Sequence, residues 1–435
     1  MDRRHFLASS GAAALALTAR MPVFAQAGSP DATAGVAFDA IFESILDHSP
    51  QLVTSFGLDK GARASAKSRL DDNSLAGAAA DLTRTKDAIA KLKAIDPAKL
   101  SPATALNLEI ILYTLEQQTV AQERLGIGSA VRPYTIFQQG GAYFGMPDFL
   151  NTAHSIKTKD DCDAYLSRLS AFARALDNDT ETQRVESTRG FIAPGWSLDL
   201  TLGQIANLRS PAAADNSLTR SLTTRAASAG VEGDWSAAAA RIVEAEIYPA
   251  LDRQIALLKS LQPKTAQGDG VWRLPKGDEL YAVALEQMTT TTYPPAQVHQ
   301  MGLDQVADLS AQLDEILKSQ GMTKGSVGER LTALNASPKQ LYPDTPAGRE
   351  QLIADLNTSY NAMFAKLPKA FATIPDVPLE IRAVPVEIQD GASNGYYRRA
   401  PLDRSRPALY FINLKDVADW PKYTLPSLKI GRAHV

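Results

Sequence analysis

The chain has 435 residues, 45% of them apolar and 21% charged, with a formal net charge of −3; that balance supports a buried core and excludes a disordered or fibrous chain. Removing residues 1–27 takes away a net +2 and leaves about −5, which argues against a nucleic-acid binder with its basic face. The single cysteine, Cys162, excludes an internal disulfide, no C-x-x-C or Cys/His cluster is present to hold a structural zinc, and no apolar run of about 18 residues encodes a membrane span.

The first element is an address. Arg3-Arg4, an Ala/Leu-rich stretch from Leu7 to Ala19, and Ala25-Gln26-Ala27 follow the order of an export signal, and Asp2-Arg3-Arg4-His5-Phe6-Leu7 resembles the twin-arginine signature. Residues 1–27 are therefore expected to be removed, leaving a periplasmic or secreted protein that starts near Gly28. From about Val36 the pattern is mainly helical. Ser101-Pro102 is an N-cap and first-turn proline that opens a helix with Leu108, Ile111, Leu112 and Leu115 on one face. Thr158 and Asp161 form a capping box ahead of Tyr165, Leu169, Phe172 and Leu176. Trp235 to Leu261 reads as one long helix bent at Pro249, whose ring and missing N–H disrupt the ladder. From Pro295, the residues Val298, Gly302, Val306, Leu309, Leu313 and Ile316 form another stripe, expected to face a core. After Pro375 the character changes: Leu379–Ile388 and Ala408–Leu414 read as strands. The pattern predicts a mainly α fold with a small late β-sheet.

Chemistry is sparse along this chain. The histidines are His5, His48, His154, His299 and His434, and none is followed by glutamate, so there is no H-E-x-x-H to place two imidazoles and a base on one helix face. No G-x-S-x-G elbow, P-loop or dinucleotide fingerprint is present. Cys162 lies in Asp160-Asp161-Cys162-Asp163, an acidic setting that raises a thiol pKa and speaks against a cysteine nucleophile. Pairs such as Glu244 and Glu246 suit a solvated helix face.

Several blocks nevertheless resemble one family over nearly the whole mature chain. They are Pro133-Tyr134 with Gln138-Gln139-Gly140-Gly141, His154 with Tyr165-Leu166-Ser167-Arg168-Leu169, Gly190 with Pro194, Pro249-Ala250-Leu251, Gly270 to Gly277 with Tyr281, and Val298-His299-Gln300-Met301-Gly302. The most specific is Gly395-Tyr396-Tyr397, Ser405-Arg406-Pro407, Tyr410-Phe411-Ile412-Asn413-Leu414 and Leu425-Pro426-Ser427-Leu428. The family is the bacterial domain-of-unknown-function family number 885, which groups with gluzincin-type, helical zinc metallopeptidases. In it, the last block leads into a zinc-binding helix with a His-Glu motif and a Gly-His-His. Here Leu428 is followed by Lys429-Ile430-Gly431-Arg432-Ala433-His434-Val435, which resembles a translated sequencing-adapter remnant. The expectation is a metallopeptidase-like fold over residues 28–428 that is incomplete at the C-terminus, with a non-native tail at 429–435.

The resemblance implies an exported zinc-dependent peptidase acting on peptides, with zinc in the full-length protein and none bound by this chain. It implies that Tyr410, Phe411, Ile412 and Asn413 bind substrate, the strand pairing with an extended peptide through its backbone. Tyr396 or Tyr397 would hydrogen-bond a tetrahedral oxyanion, and Arg406 would hold a carboxylate or orient the strand. His154 and His299 would line the cleft. Metal lowers the pKa of its bound water from about 15.7 to about 7, which orienting residues cannot replace, so this chain is expected to be inactive. The rival reading is a non-catalytic periplasmic protein that binds peptides or a partner; an adaptor would expose a large apolar patch.

Overall fold

A computed structural model of the protein describes residues 28–265, 268–374, 376–384, 389, 393–404 and 406–426. The export signal, the tail after Pro426 and the second half of the expected Leu379–Ile388 strand lie outside the described residues. Contacts divide the chain into two units, Met1–Pro295 and Ala296–Val435.

The described part of the first unit is helical. Its helices are α1 (Pro30–His48), α2 (Pro50–Ser55), α3 (Leu75–Lys93), α4 (Pro102–Val120), α5 (Ala142–Thr152), α6 (Lys159–Thr188), α7 (Gly195–Arg209), α8 (Ser217–Ser228), α9 (Trp235–Ile242), α10 (Tyr248–Leu261) and α11 (Gly277–Thr289). Local chemistry sets their starts. Ser101 caps α4 by accepting from the Thr104 N–H, and Thr158 with Asp161 closes a capping box on α6. The main core gathers on α6, where Tyr165, Leu169, Phe172 and Leu176 are all fully buried against α5, α7, α8, α9 and α10. Between α9 and α10, residues Val243–Ile247 form a π-helical turn. Proline at 249 has no N–H for the α-helical ladder, and the wider turn just before it lets the chain run on as a helix instead of stopping.

One residue of α6 breaks the apolar pattern. Arg168 is the largest fully buried side chain among the described residues. Its Nε donates to the Arg69 carbonyl at 2.9 Å, Nη1 to His154 Nδ1 at 2.9 Å, and Nη2 to Thr54 Oγ1 at 2.5 Å and the Ala66 carbonyl at 3.0 Å, while the guanidinium lies 4.9 Å from the Phe149 ring centre. These partners come from three separate segments, so one side chain pins α2 and the 3-10 stretch Gly61–Ser68 to α6. Burying a charge is tolerable here because each side of the fork has an acceptor.

The second unit contains α12 (Pro295–Ser319), α13 (Val327–Asn335), α14 (Pro346–Phe364) and a three-stranded sheet of β1 (Leu379–Ala383), β2 (Gly395–Arg398) and β3 (Ala408–Ile412) in the order β1-β3-β2. β3 is central, parallel to β1 and antiparallel to β2. Ile381, Tyr410 and Ile412 on one sheet face form a core with Leu352 and Leu356 of α14 and with Tyr342, Leu414, Val417, Trp420 and Leu425. The mainly α fold with a small late sheet is thus as expected. The stripe of α12 is not: Val306 is 64% exposed, Leu309 55% and Ile316 57%, and Leu317 is the buried residue of this helix. Leu317 is buried and Asp314 is ion-paired to Arg330 of α13, while the apolar stripe is largely exposed.

Candidate functional site

The sequence places its candidate residues around β2 and β3, and the register sorts them. Tyr397 pairs with Tyr410 and Tyr396 with Phe411. Because successive side chains of a strand alternate, Tyr396 and Tyr397 stand on opposite faces of the sheet. Tyr396 stacks on Phe411 with ring centres 4.8 Å apart, in a small apolar cluster with Val384 and Leu409. Tyr397 lies on the face that packs on α14. A single site can therefore use only one of them.

The strand expected to take up substrate is placed differently from that expectation. Both backbone edges of Ala408–Ile412 are occupied, by β1 on one side and β2 on the other, and all five residues are buried. Both edges of β3 are thus taken by described strands, and Tyr410, Phe411 and Ile412 lie in the sheet core. Asn413 serves the corner after the strand. Its Nδ2 donates to the Gln389 carbonyl at 2.8 Å, its Oδ1 accepts from Lys415 N–H at 3.0 Å, and its carbonyl accepts from Trp420 Nε1 at 2.6 Å. Gly395 shows how closely the two strands meet: a Cβ there would lie 2.6 Å from the Tyr410 hydroxyl oxygen and 2.9 Å from the Phe411 carbonyl oxygen.

A charged group remains beside Tyr397. Burial raises the pKa of its phenol, and Arg399 and Arg406 pull it back. Burial lowers the pKa of the Arg406 guanidinium, and nearby Arg398 adds like-charge repulsion; Tyr397 and Asp403 oppose both. The phenol of Tyr360, on α14, is raised by burial and by Tyr397. Arg406 donates from Nη1 to the Pro407 carbonyl at 3.2 Å, and neither Arg399 nor Arg406 forms an ion pair among the described residues. Tyr360, Tyr397, Arg399 and Arg406 thus make a partly buried group of positive charge with two phenol donors. Partly buried guanidiniums next to hydroxyls suit an anion, above all a carboxylate held by charge-assisted hydrogen bonds. The sequence reading missed Tyr360 and Arg399. The Tyr-Tyr-Arg-Arg run at 396–399 carried a signal for Arg399, whereas Tyr360 reaches the site only through the packing of α14.

The histidines lie elsewhere. His154 is buried, with Nε2 donating to the Asp161 carbonyl at 2.9 Å and Nδ1 accepting from Arg168; burial, then Arg168, lowers its pKa to about 3, so it stays neutral. It is a wall of the core and not of a cleft. His48 bonds the Ser44 carbonyl at the end of α1, and His299 is exposed on α12. His5 and His434 lie outside the described residues. Among the described residues no group of three or more His, Cys, Asp or Glu side chains could hold a metal ion. The donor set of the described residues does not fit a zinc centre. Cys162 is buried, its thiol pushed up by burial and then by Asp161 and Asp163.

A second polar arrangement, not foreseen from the sequence, lies on α6. Asp179, Gln183 and Glu186, spaced four and three residues apart, each accept a backbone N–H of the loop that carries Gln138 to Gly141. Asp179 takes Ala142 N–H at 2.5 Å, Gln183 takes Ile136 N–H at 3.0 Å and Glu186 takes Thr135 N–H at 3.1 Å. Asp179 also accepts from Asn73 Nδ2 at 2.7 Å, and burial raises its pKa to about 6. Both ends of the loop are tied to one helix face, a positioning device for the fold.

Comparison with known proteins gives two findings. The profile of the family described as "Bacterial protein of unknown function (DUF885)" matches residues 50–431. The crystal structure of the "putative lipoprotein" from Colwellia psychrerythraea is similar with a TM-score of 0.86 at 25% identity, covering 93% of this chain and 71% of that one. No curated protein matches. No described helix is long and apolar enough to cross a membrane.

Proposed function

The chain belongs to the bacterial DUF885 family, and from that premise we propose that it is an exported, peptide-binding member that holds a carboxylate of its ligand at Arg399, Arg406 and Tyr397. The observation that carries this reading is the pair of partly buried guanidiniums beside a phenol, with no ion pair to either among the described residues. Burial disfavours the charged form of Arg406 and Arg398 adds like-charge repulsion, so an anion gains more there than at an open lysine. A peptide offers one at its C-terminus or on an acidic side chain.

The zinc-dependent hydrolysis that the resemblance implies stands outside what these residues can do. They supply no donor set for the metal, and no step of bond cleavage is assigned to them. On this reading, binding needs no metal, and the chain itself turns over no peptide even with zinc added. The signal-like residues 1–27 support export, with the twin-arginine pair as the proposed route.

The test uses the purified chain and short fluorescent peptides that differ only in a free or amidated C-terminus and in the presence of glutamate. Anisotropy is expected to show tighter binding of the free acid, lost on Arg406→Gln and weakened by salt. Equal binding of acid and amide by both the native chain and Arg406→Gln would overturn the carboxylate site. Zinc-dependent cleavage of the peptides by this chain would overturn the non-catalytic reading.

A further inference from the structure

Beside the charged group at Tyr397 lies an aromatic ring that the core of the second unit does not use. Along α14 the residues Leu352, Leu356, Tyr360 and Phe364 stand four apart, so each is turned by about 40° from the one before. The row therefore drifts off the sheet. Leu352 and Leu356 are fully buried in the core, and Tyr360 is partly buried against it. Phe364, the last residue of the helix, is also partly buried but belongs to none of the apolar clusters formed by the described residues. Its ring rests on that of Tyr360, with centres 5.7 Å apart and planes tilted by 42°. Tyr360 is the phenol that α14 adds to the charged group, so the aromatic pair adjoins the place where a carboxylate would be held.

On the reading that Arg399, Arg406 and Tyr397 hold a carboxylate, we propose that the ligand is a peptide with an aromatic or large apolar C-terminal residue, whose side chain is received by Phe364 and Tyr360. The chemistry of the two candidate carboxylates selects the C-terminus. A terminal carboxylate is attached to the same Cα as its residue's side chain, so fixing the anion brings that side chain within reach of the neighbouring rings. The carboxylate of an internal glutamate ends its own side chain and brings no second group with it. A ring entering here can lie offset or edge-on against Phe364, the arrangements aromatic pairs prefer, and leucine gains by covered area alone. A basic terminal residue is selected against, because its charge would approach the partly buried Arg399 and Arg406.

Fluorescence anisotropy with the full chain tests this, using peptides of one sequence that end in glycine, phenylalanine, leucine or lysine, each as free acid and as amide. The phenylalanine and leucine acids are expected to bind about tenfold more tightly than the glycine acid, the gain from covering most of one apolar side chain. The lysine acid is expected to bind no better than the glycine acid. Phe364→Ala should shrink the phenylalanine-to-glycine ratio to within about twofold, and Phe364→Leu should keep most of it. Phe371→Ala, at an exposed ring past the end of α14, should leave the ratio as it is. The two readings fail differently. If the glycine acid binds no better than its amide, the carboxylate site itself falls and the C-terminal preference with it. If free acids bind better than amides but the glycine and phenylalanine acids bind alike, or if Phe364→Ala keeps the ratio, the carboxylate site stands and the role of Phe364 is overturned.

Discussion

Arg168 Nη1 donates to His154 Nδ1 at 2.9 Å, and this fixes the imidazole as neutral with its proton on Nε2, where the Asp161 carbonyl accepts it. The pair joins two blocks of the family resemblance, at His154 and at Tyr165 to Leu169, and acts as scaffolding. Lys67 reinforces the same corner by an ion pair to Asp161, the residue that also caps α6.

Arg168→Met removes the donor to four acceptors while keeping much of the stem. The Ala66 and Arg69 carbonyls, Thr54 Oγ1 and His154 Nδ1 are then left buried without it, so the expected loss is about 3–5 kcal/mol. Lysine at the same place offers a point charge without the fork and is expected to recover less than half of that. Urea unfolding followed by circular dichroism measures both; a loss under about 1 kcal/mol for methionine would show that the network carries no weight.

How far the sequence reached depended on whether the signal was local. The caps at Ser101 and Thr158 and the α6 face from Tyr165 to Leu176 were legible because capping chemistry and a 3.6-residue period act within a few residues. Arg168 was passed over although it sits between Tyr165 and Phe172 on that same face; position argued for burial while residue type argued for the surface. The α12 stripe was read as core because periodicity tells that a face seeks cover and is silent on what covers it. β2 is four residues long, too short for a period of two to stand out, and the substrate role given to β3 came from the family resemblance and not from the pattern. The charged group at Tyr397 was half legible: Arg406 was named, but Arg399 and Tyr360 join it only through pairing and helix packing.

Acid should act on the first unit through two buried groups of opposite sign. His154 has a folded pKa of about 3, below its unfolded value, so its contribution is complete above about pH 6.5 and is lost as pH falls toward 3, by about 4–5 kcal/mol at most. Asp179 is raised to about 6, so the fold gains stability as pH falls through 6 toward 4, by about 2–3 kcal/mol. The two partly cancel between pH 6 and 4. In Asp179→Asn the compensation is gone, and acidification over that range is expected to cost about 2 kcal/mol more than in the native chain. Unfolding curves at half-unit pH steps would show it; parallel curves for the two proteins would refute the assignment.

Gly395→Ala probes the strand contact under the candidate site. The added methyl would meet the rigid end of the Tyr410 ring and a backbone oxygen, neither of which moves cheaply, and the expected cost is about 1–3 kcal/mol. Combining it with Tyr410→Phe removes one of the two clashes, and the double variant should be more stable than Gly395→Ala alone. If the second change adds its own loss instead, the hydroxyl is not what the methyl strikes.

The opposite placement of Tyr396 and Tyr397 separates packing from binding with two conservative changes. Tyr397→Phe removes the hydroxyl that shares its face with Arg399 and Arg406, and binding of a peptide carboxylate should weaken about three- to tenfold, the worth of one hydrogen bond to a charged group. Tyr396→Phe keeps the ring stacked on Phe411 and takes away a hydroxyl on the far face, so affinity should stay within about twofold. Both proteins should unfold at nearly the same temperature, which separates a lost contact from a damaged sheet. Weakening by Tyr396→Phe alone would move the binding surface to the other face, where Val384, Leu409 and Phe411 lie, and the carboxylate site at Arg406 would have to be abandoned.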